Sequence, residues 1–248
     1  MSIAGFFCLW EIVARSGMVP AEYFPSPLLI LQTIASETKR GELPHAFFAT
    51  FVRALAGAVA GASVALAAAL ATARYRIARR AFEPIAEFLR PLPPAAITPL
   101  AIFFLGLGWK LYAFILVFAC FWPVYLNAAQ AIAATPSVQI ETARTFGYGR
   151  WATLLKVRLP AALPTIFTGL RLAASIALIA TIAAEMIAGR DGLGFYLMDA
   201  GMTLRVPETF AGLVAAMMAG LLMSGLVLLL RNSALRWHNQ MITQAETA

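Results

Sequence analysis

Residues 135–160 read TPSVQIETARTFGYGRWATLLKVRLP, a polar, basic insert between two long apolar runs. The pattern predicts two short helices hinged at glycine. Thr135 is the expected N-cap, with Pro136 at the first helical position, where its missing N–H costs nothing. Ile140, Ala143 and Gly147 then fall at i, i+3 and i+7 on one side, while Glu141, Arg144 and Thr145 spread over the rest. Gly147 suits the residue just past a helix end, where positive φ is wanted. A second basic amphipathic piece carries Trp151, Leu154 and Leu155 at helical spacing, and Pro160 is expected to stop it. Helices this short cannot span a bilayer, but they can lie at its face and present themselves to a partner.

The flanking runs supply the bilayer. Of 248 residues, 61% are hydrophobic and only 12% charged, with mean hydropathy +0.78. A soluble domain carries about 25% charged residues, so the composition points to a polytopic membrane protein, and its long apolar runs, read as spanning helices, make the expected fold class all-α. The two cysteines, Cys8 and Cys120, lie in apolar runs and give neither a disulfide framework nor a metal spacing. The amino terminus lacks a basic n-region and an A-x-A site, so no cleavable signal peptide is expected.

Six spans are expected, the first short or truncated. Residues 1–10 are apolar, but Glu11 and Arg15 interrupt the run before the roughly 20 residues a spanning helix needs. Either Glu11 is tolerated near an interface or the helix starts upstream. A short helix is expected over Leu28–Lys39. Ala54–Ala73 gives 20 uncharged residues, and Gly57-x-x-x-Gly61 within it would let helix backbones approach closely, unless the glycines are incidental on a lipid-facing helix. Pro91, Pro93, Pro94 and Pro99 break the first half of the run from Pro91 to Trp109. That span either starts late, around Ala95, which is the plainer reading, or is kinked beside a cavity. Gly106 to Lys110 reads as a tight turn, and Leu111–Ala134 adds 24 uncharged residues. A span over about Ala161–Ala188 carries Arg171 and Glu185, and Thr209–Leu230 closes the set with 22 uncharged residues. Arg231, Arg236 and Trp237 mark a basic, interfacial carboxyl end.

Charge orients the spans. Residues 74–90, 131–163 and 231–248 hold eleven Lys and Arg against four acids, whereas 14–50, 106–111 and 188–208 hold six against six. The net charge of +7 is therefore concentrated on one face, which the positive-inside rule makes cytoplasmic together with both termini. Topology accounts for the basicity, and a nucleic-acid partner becomes unnecessary.

Several chemistries lack their residues. The lysines are Lys39, Lys110 and Lys156, none of which follows a glycine, so no Walker A loop is present. H-E-x-x-H is absent, and His45 and His238 fall outside the expected spans, which removes the ligands for an intramembrane metalloprotease or a two-histidine haem. Ser63, Ser175 and Ser224 lie in spans with no in-span histidine to activate them. No internal repeat is visible.

Arg171 and Glu185 stand 14 residues apart, roughly 21 Å along a helix and within about 40° of one face, too distant to pair with each other. A charge in a span costs at least ~2.5 kcal/mol, which favours a bundle-interior role for each, with interfacial anchoring as the equal alternative.

Glu141-Thr142-Ala143, Gly147 and Val157-Arg158-Leu159-Pro160 together resemble the EAA cytoplasmic loop of ABC-importer permeases: Glu-Ala-Ala, three residues, Gly, nine residues, Ile-x-Leu-Pro. Thr142 replaces an alanine and Val157 the isoleucine; both spacings match. Further likeness to nitrate/sulfonate/taurine-type permeases lies in Trp10-Glu11 followed by Gly17 and PAEYFPSP at residues 20–27, in RPLPPAAITPL at 90–100, in Gly169-Leu170-Arg171, and in Gly192-Leu193-Gly194 after Glu185.

The resemblance implies a type I importer permease fold: one transmembrane domain over 1–248, core 46–231, with a coupling loop at 135–160 in the plasma (inner) membrane of a bacterium. It implies that Glu141, Thr142, Ala143, Arg144, Gly147, Leu159 and Pro160 engage the ATPase. Arg171, Glu185, Gly192, Gly194, Pro91 and Pro99 become candidates for the translocation path or its gate. The implied partners are a second copy of the chain, two ATPase subunits, an external solute-binding protein and membrane lipid. ATP and magnesium would reside on the ATPase, with no cofactor in this chain. The expected function is import of a small solute, an organic or inorganic anion such as a sulfonate, taurine or nitrate. The alternative is a secondary transporter or channel subunit, for which Arg171 and Glu185 would have to supply the coupling-ion site.

Overall fold

A computed structural model describes residues 3–16 and 23–235, and among them every regular element is helical. Gly17, Pro20, Arg236, Trp237 and His238 lie outside the described residues. The helices are α1 (Ile3–Arg15), α2 (Pro27–Arg40), α3 (Glu42–Arg74), α4 (Arg76–Leu89), α5 (Pro94–Leu105), α6 (Trp109–Ala133), α7 (Ser137–Thr145), α8 (Arg150–Thr153), α9 (Leu159–Ala188), α10 (Leu193–Met202) and α11 (Val206–Ala234). A π-helical turn, Leu154–Arg158, joins α8 to α9.

Among the described residues, four helical stretches are long and apolar enough to cross a membrane: Glu42–Arg74, Trp109–Ala133, Arg150–Ala188 and Val206–Ala234. The pair α4 and α5, bent by 102°, makes a fifth if taken as one broken span. At 13 residues α1 rises only about 20 Å, short of the ~30 Å hydrocarbon core, so length and composition do not reach the expected six among the described residues. α5 begins at Pro94, close to the expected Ala95, but its 12 residues rise only about 18 Å, so no complete span starts there and the expectation of a late-starting span is corrected to a broken pair.

Three expected boundaries are corrected. α3 starts at Glu42, twelve residues before the uncharged run, so His45 and Arg53 are helical. Pro160 does not stop the chain's helix: the π turn before it widens the backbone where the proline ring would strike the carbonyl four residues back, and one continuous helix runs from Arg150 to Ala188. Thr135 is not the cap of α7. Its hydroxyl donates to the Ile132 carbonyl, 3.0 Å away, finishing α6, while Pro136 takes the N-cap position with extended backbone.

The chain forms two compact units, Met1–Arg53 with Thr181–Leu221, and Ala54–Ala180 with Leu222–Ala248. In the second, glycines set the helix spacing. A Cβ on Gly61 would come 2.7 Å from Cys120 Cβ, and one on Gly57 would overlap Leu116, so the small-residue face of α3 lies directly on α6. Gly169 of α9 approaches α6 as closely, at Pro123 O and Asn127 Cβ. Phe82 fixes α4 on the same helix through the rings of Phe121, Trp122 and Tyr125.

In the first unit, α2 is closed at both ends: Ser26 Oγ accepts from Leu29 N, Pro27 opens the helix, and Gly41 ends it at φ 84°. Trp10 of α1 packs against Phe24 and Phe210, and Glu11 is neutralised by Arg15 at 2.6 Å while accepting from Leu28 N. The acid that interrupts the first apolar run thus has local partners.

Candidate functional site

Two constellations carry the expected site residues, one in each unit. The first is the loop after α6. Gly147 sits at φ 78°; its N–H bonds Arg144 O and the Tyr148 N–H bonds Ala143 O, both at 2.9 Å. This 6→1 and 5→2 pair is a Schellman motif, which needs a left-handed residue at that position and so selects glycine. Ala143 turns inward and is buried, while Glu141, Thr142, Arg144 and Gly147 are exposed. Val138 and Phe146 add exposed apolar surface, about 70% and 76% accessible. Leu159 and Pro160 lie half-buried at the start of α9. The arrangement is a nine-residue helix, closed at its C-terminus by the Schellman turn, whose outer side offers apolar and charged groups together. Such a surface can dock a protein.

The second constellation centres on Glu185, which is fully buried. Its Oε2 accepts from Thr50 Oγ1 at 2.7 Å and from the Gly194 N–H at 3.0 Å, and its Oε1 accepts from Arg53 Nη1 at 2.8 Å. Arg53 Nη2 also reaches both carboxylate oxygens of Asp191, at 2.6 and 2.7 Å. Thr50 Oγ1 in turn accepts from the Leu193 N–H at 2.7 Å. Thr50 and Arg53, three residues apart, share a face of α3, so one helix turn clamps the carboxylate and the Gly-Leu-Gly turn after α9. A Cβ on Gly192 would clash with the Glu185 carboxylate, and one on Gly194 would lie 2.6 Å from Glu185 Cβ. Gly192 also has φ 97°. Both glycines are therefore required by the acid beside them.

A carboxylate that accepts three hydrogen bonds in a buried, paired setting is a fixed structural anion, unsuited to ligating a passing solute. A smaller node lies in the same unit: Glu37, 2% exposed, accepts from Arg40 at 3.0 Å and from the Tyr196 hydroxyl at 3.5 Å. Burial, with the Glu37 charge second, pushes the Tyr196 hydroxyl above the usual phenol range.

The structure thus unites Glu185, Gly192 and Gly194. Arg171, Pro91 and Pro99 are exposed and contribute no hydrogen bond to the Glu185 network. The sequence reading missed Arg53, Thr50 and Asp191. The available signal was Arg53 itself, a charge set between apolar FFATFV and ALAGAVAG, which required an acid partner as Glu185 required a base.

Residues 57–244 match the family described as the binding-protein-dependent transport system inner membrane component. The chain is 29% identical over 236 residues to SsuC of Bacillus subtilis (strain 168), whose name refers to aliphatic sulfonates transport, covering 95% of this chain and 86% of that one. It is 32% identical over 245 residues to the taurine transport system permease protein TauC of Escherichia coli (strain K12), covering 96% and 89%. In fold it is similar to a chain of the inward-facing MetNI methionine ABC transporter, with TM-score 0.68 and 18% identity over 80% of this chain and 98% of that one.

Proposed function

Because the chain belongs to the binding-protein-dependent inner-membrane transport family, as the permease subunit of an ABC importer whose ATPase is a separate subunit, we propose that it imports a small organic anion of the sulfonate class by ATP-driven alternating access. The names of SsuC and TauC support the sulfonate class. Exposed α7, stiffened by its Schellman turn, carries the proposal on mechanism. Its outer residues Glu141, Thr142 and Arg144, with Val138 and Phe146, seat in a cleft of the ATPase. Leu159 and Pro160 lie where the loop joins α9, so closure of the ATPase moves α7 and α9 as one rigid lever.

The working assembly is a homodimer of this chain with two ATPases and an external binding protein, its α7 loop and both termini in the cytoplasm. The eleven cationic residues gathered on that face support this orientation. A secondary transporter would need an in-span acid free to take a coupling ion, and Glu185 is occupied by three donors.

Reconstitution of this permease with its ATPase and binding protein in vesicles tests the reading. Taurine or an alkanesulfonate should accumulate only when ATP and the binding protein are both supplied. Uptake driven by an ion gradient without ATP would overturn it.

A further inference from the structure

Where α3 ends, five arginines converge on one pocket of about 320 Å³: Arg74, Arg76, Arg144, Arg150 and Arg158. No acidic residue lines it, and among the described residues none of the five is ion-paired to a carboxylate. Arg158 spends part of its guanidinium on the Ile132 carbonyl, at 2.7 and 3.1 Å, which closes the end of α6. The Arg74 guanidinium carbon lies 5.0 Å from the ring centroid of Tyr75 and 5.6 Å from that of Trp151, with Nε buried and unpartnered. An adjoining cavity shares Arg76 and Arg158 but also carries Glu83 and Glu87, so there the charge is partly cancelled. Of these two cavities, the first concentrates the uncompensated positive charge, and like charges this close lower their energy by taking an anion.

Guanidinium forks match the paired oxygens of a phosphate. The pocket lies at the end of α3 that follows its 20 uncharged residues, is lined by half-exposed Tyr148 and adjoins Trp151 through Arg74; tyrosine and tryptophan are the side chains favoured at headgroup depth. We propose that this pocket binds a phosphate-bearing anion, supplied at that depth by the headgroup of an anionic phospholipid. The inference goes beyond the transport reading and does not depend on the identity of the solute.

The test uses the purified full chain in neutral detergent, with its melting temperature followed as phosphatidylglycerol, phosphatidylcholine or inorganic phosphate is added. A ligand of the folded state raises Tm saturably. Phosphatidylglycerol should do so and phosphatidylcholine should not. The Arg74→Gln/Arg76→Gln variant should lose at least half of the rise, whereas Arg80→Gln, which removes a charge outside the pocket, should keep it. An equal rise with inorganic phosphate would retain the site and assign it to the free anion. If the double variant does not fold, the single Arg76→Gln variant, at an exposed side chain, should retain less phosphatidylglycerol in native mass spectra than the unaltered chain. No response to either anion, or the same response in the pocket variants as in the unaltered chain, overturns the proposal. So does loss of ATPase association in those variants without any anion response, which would make the pocket a seat for an acidic protein surface.

Discussion

Arg53 Nη1 lies 2.8 Å from Glu185 Oε1, joining α3 to α9 across 132 positions of sequence inside one compact unit. The pair is extended by Thr50 and the Gly194 N–H on the glutamate and by Asp191 on the arginine. Each partner removes the other's unpaired charge from an apolar setting, which is why neither is interchangeable with a neutral side chain.

Substitution of Glu185 should therefore act through stability. Glu185→Ala leaves the buried Thr50 hydroxyl and Gly194 N–H without their acceptor and Arg53 with Asp191 as its remaining acid, a loss of about 2–4 kcal/mol. Glu185→Gln keeps an acceptor oxygen and should cost less, about 1–3 kcal/mol. Melting in detergent should rank Gln above Ala, with transport reduced in step and competition among solutes unchanged. A Gln variant of full complex yield that prefers a different solute would place Glu185 in the binding path.

The glycines of the same turn should separate cleanly from a neighbour. Gly194→Ala would force a methyl onto Ile182 O and Glu185 Cβ, and Gly192→Ala adds a left-handed backbone to a collision with the carboxylate. Each should be destabilising by about 1–3 kcal/mol, whereas Gly201→Ala, which meets open space within α10, should be neutral or gain up to about 1 kcal/mol. Expression and Tm of the three variants check the order; equal values for all three would refute the packing argument.

At the α7 loop, Gly147→Val places a β-branched residue at φ 78°, at a cost of roughly 1–2 kcal/mol confined to the turn. Gly147→Asn, which tolerates that conformation, should be milder. The expected readout is normal membrane insertion with weakened ATPase co-purification for Val and near-normal association for Asn. Normal transport by the Val variant would remove α7 from the coupling role.

Topology can be read by labelling. With Cys8 and Cys120 replaced, a single cysteine at Glu42 or Arg190 should react with an impermeant reagent from outside, and one at Arg79 or Arg150 should not. The reverse pattern overturns the orientation drawn from the arginine distribution.

The sequence by itself determined the class of molecule, the apolar cores of its long helices and the turn at Gly147. These follow from local quantities: run length against bilayer thickness, charge density, and a left-handed position that glycine alone fills without cost. It also isolated Glu185, Gly192 and Gly194 as residues of interest. What it did not contain was their partner. Arg53 stood outside the run counted as a span, because hydropathy ends a helix at a charge, whereas the folded helix continues past it once an acid 132 positions away neutralises it. Pro160 misled for a related reason: proline stops an isolated helix, but a π turn and the Arg158 bond to the end of α6 carry this one through. Only the tertiary structure decided these points, since a buried charge and a proline in a helix are each tolerated by neighbours distant in the chain, and local sequence records the cost without recording what offsets it.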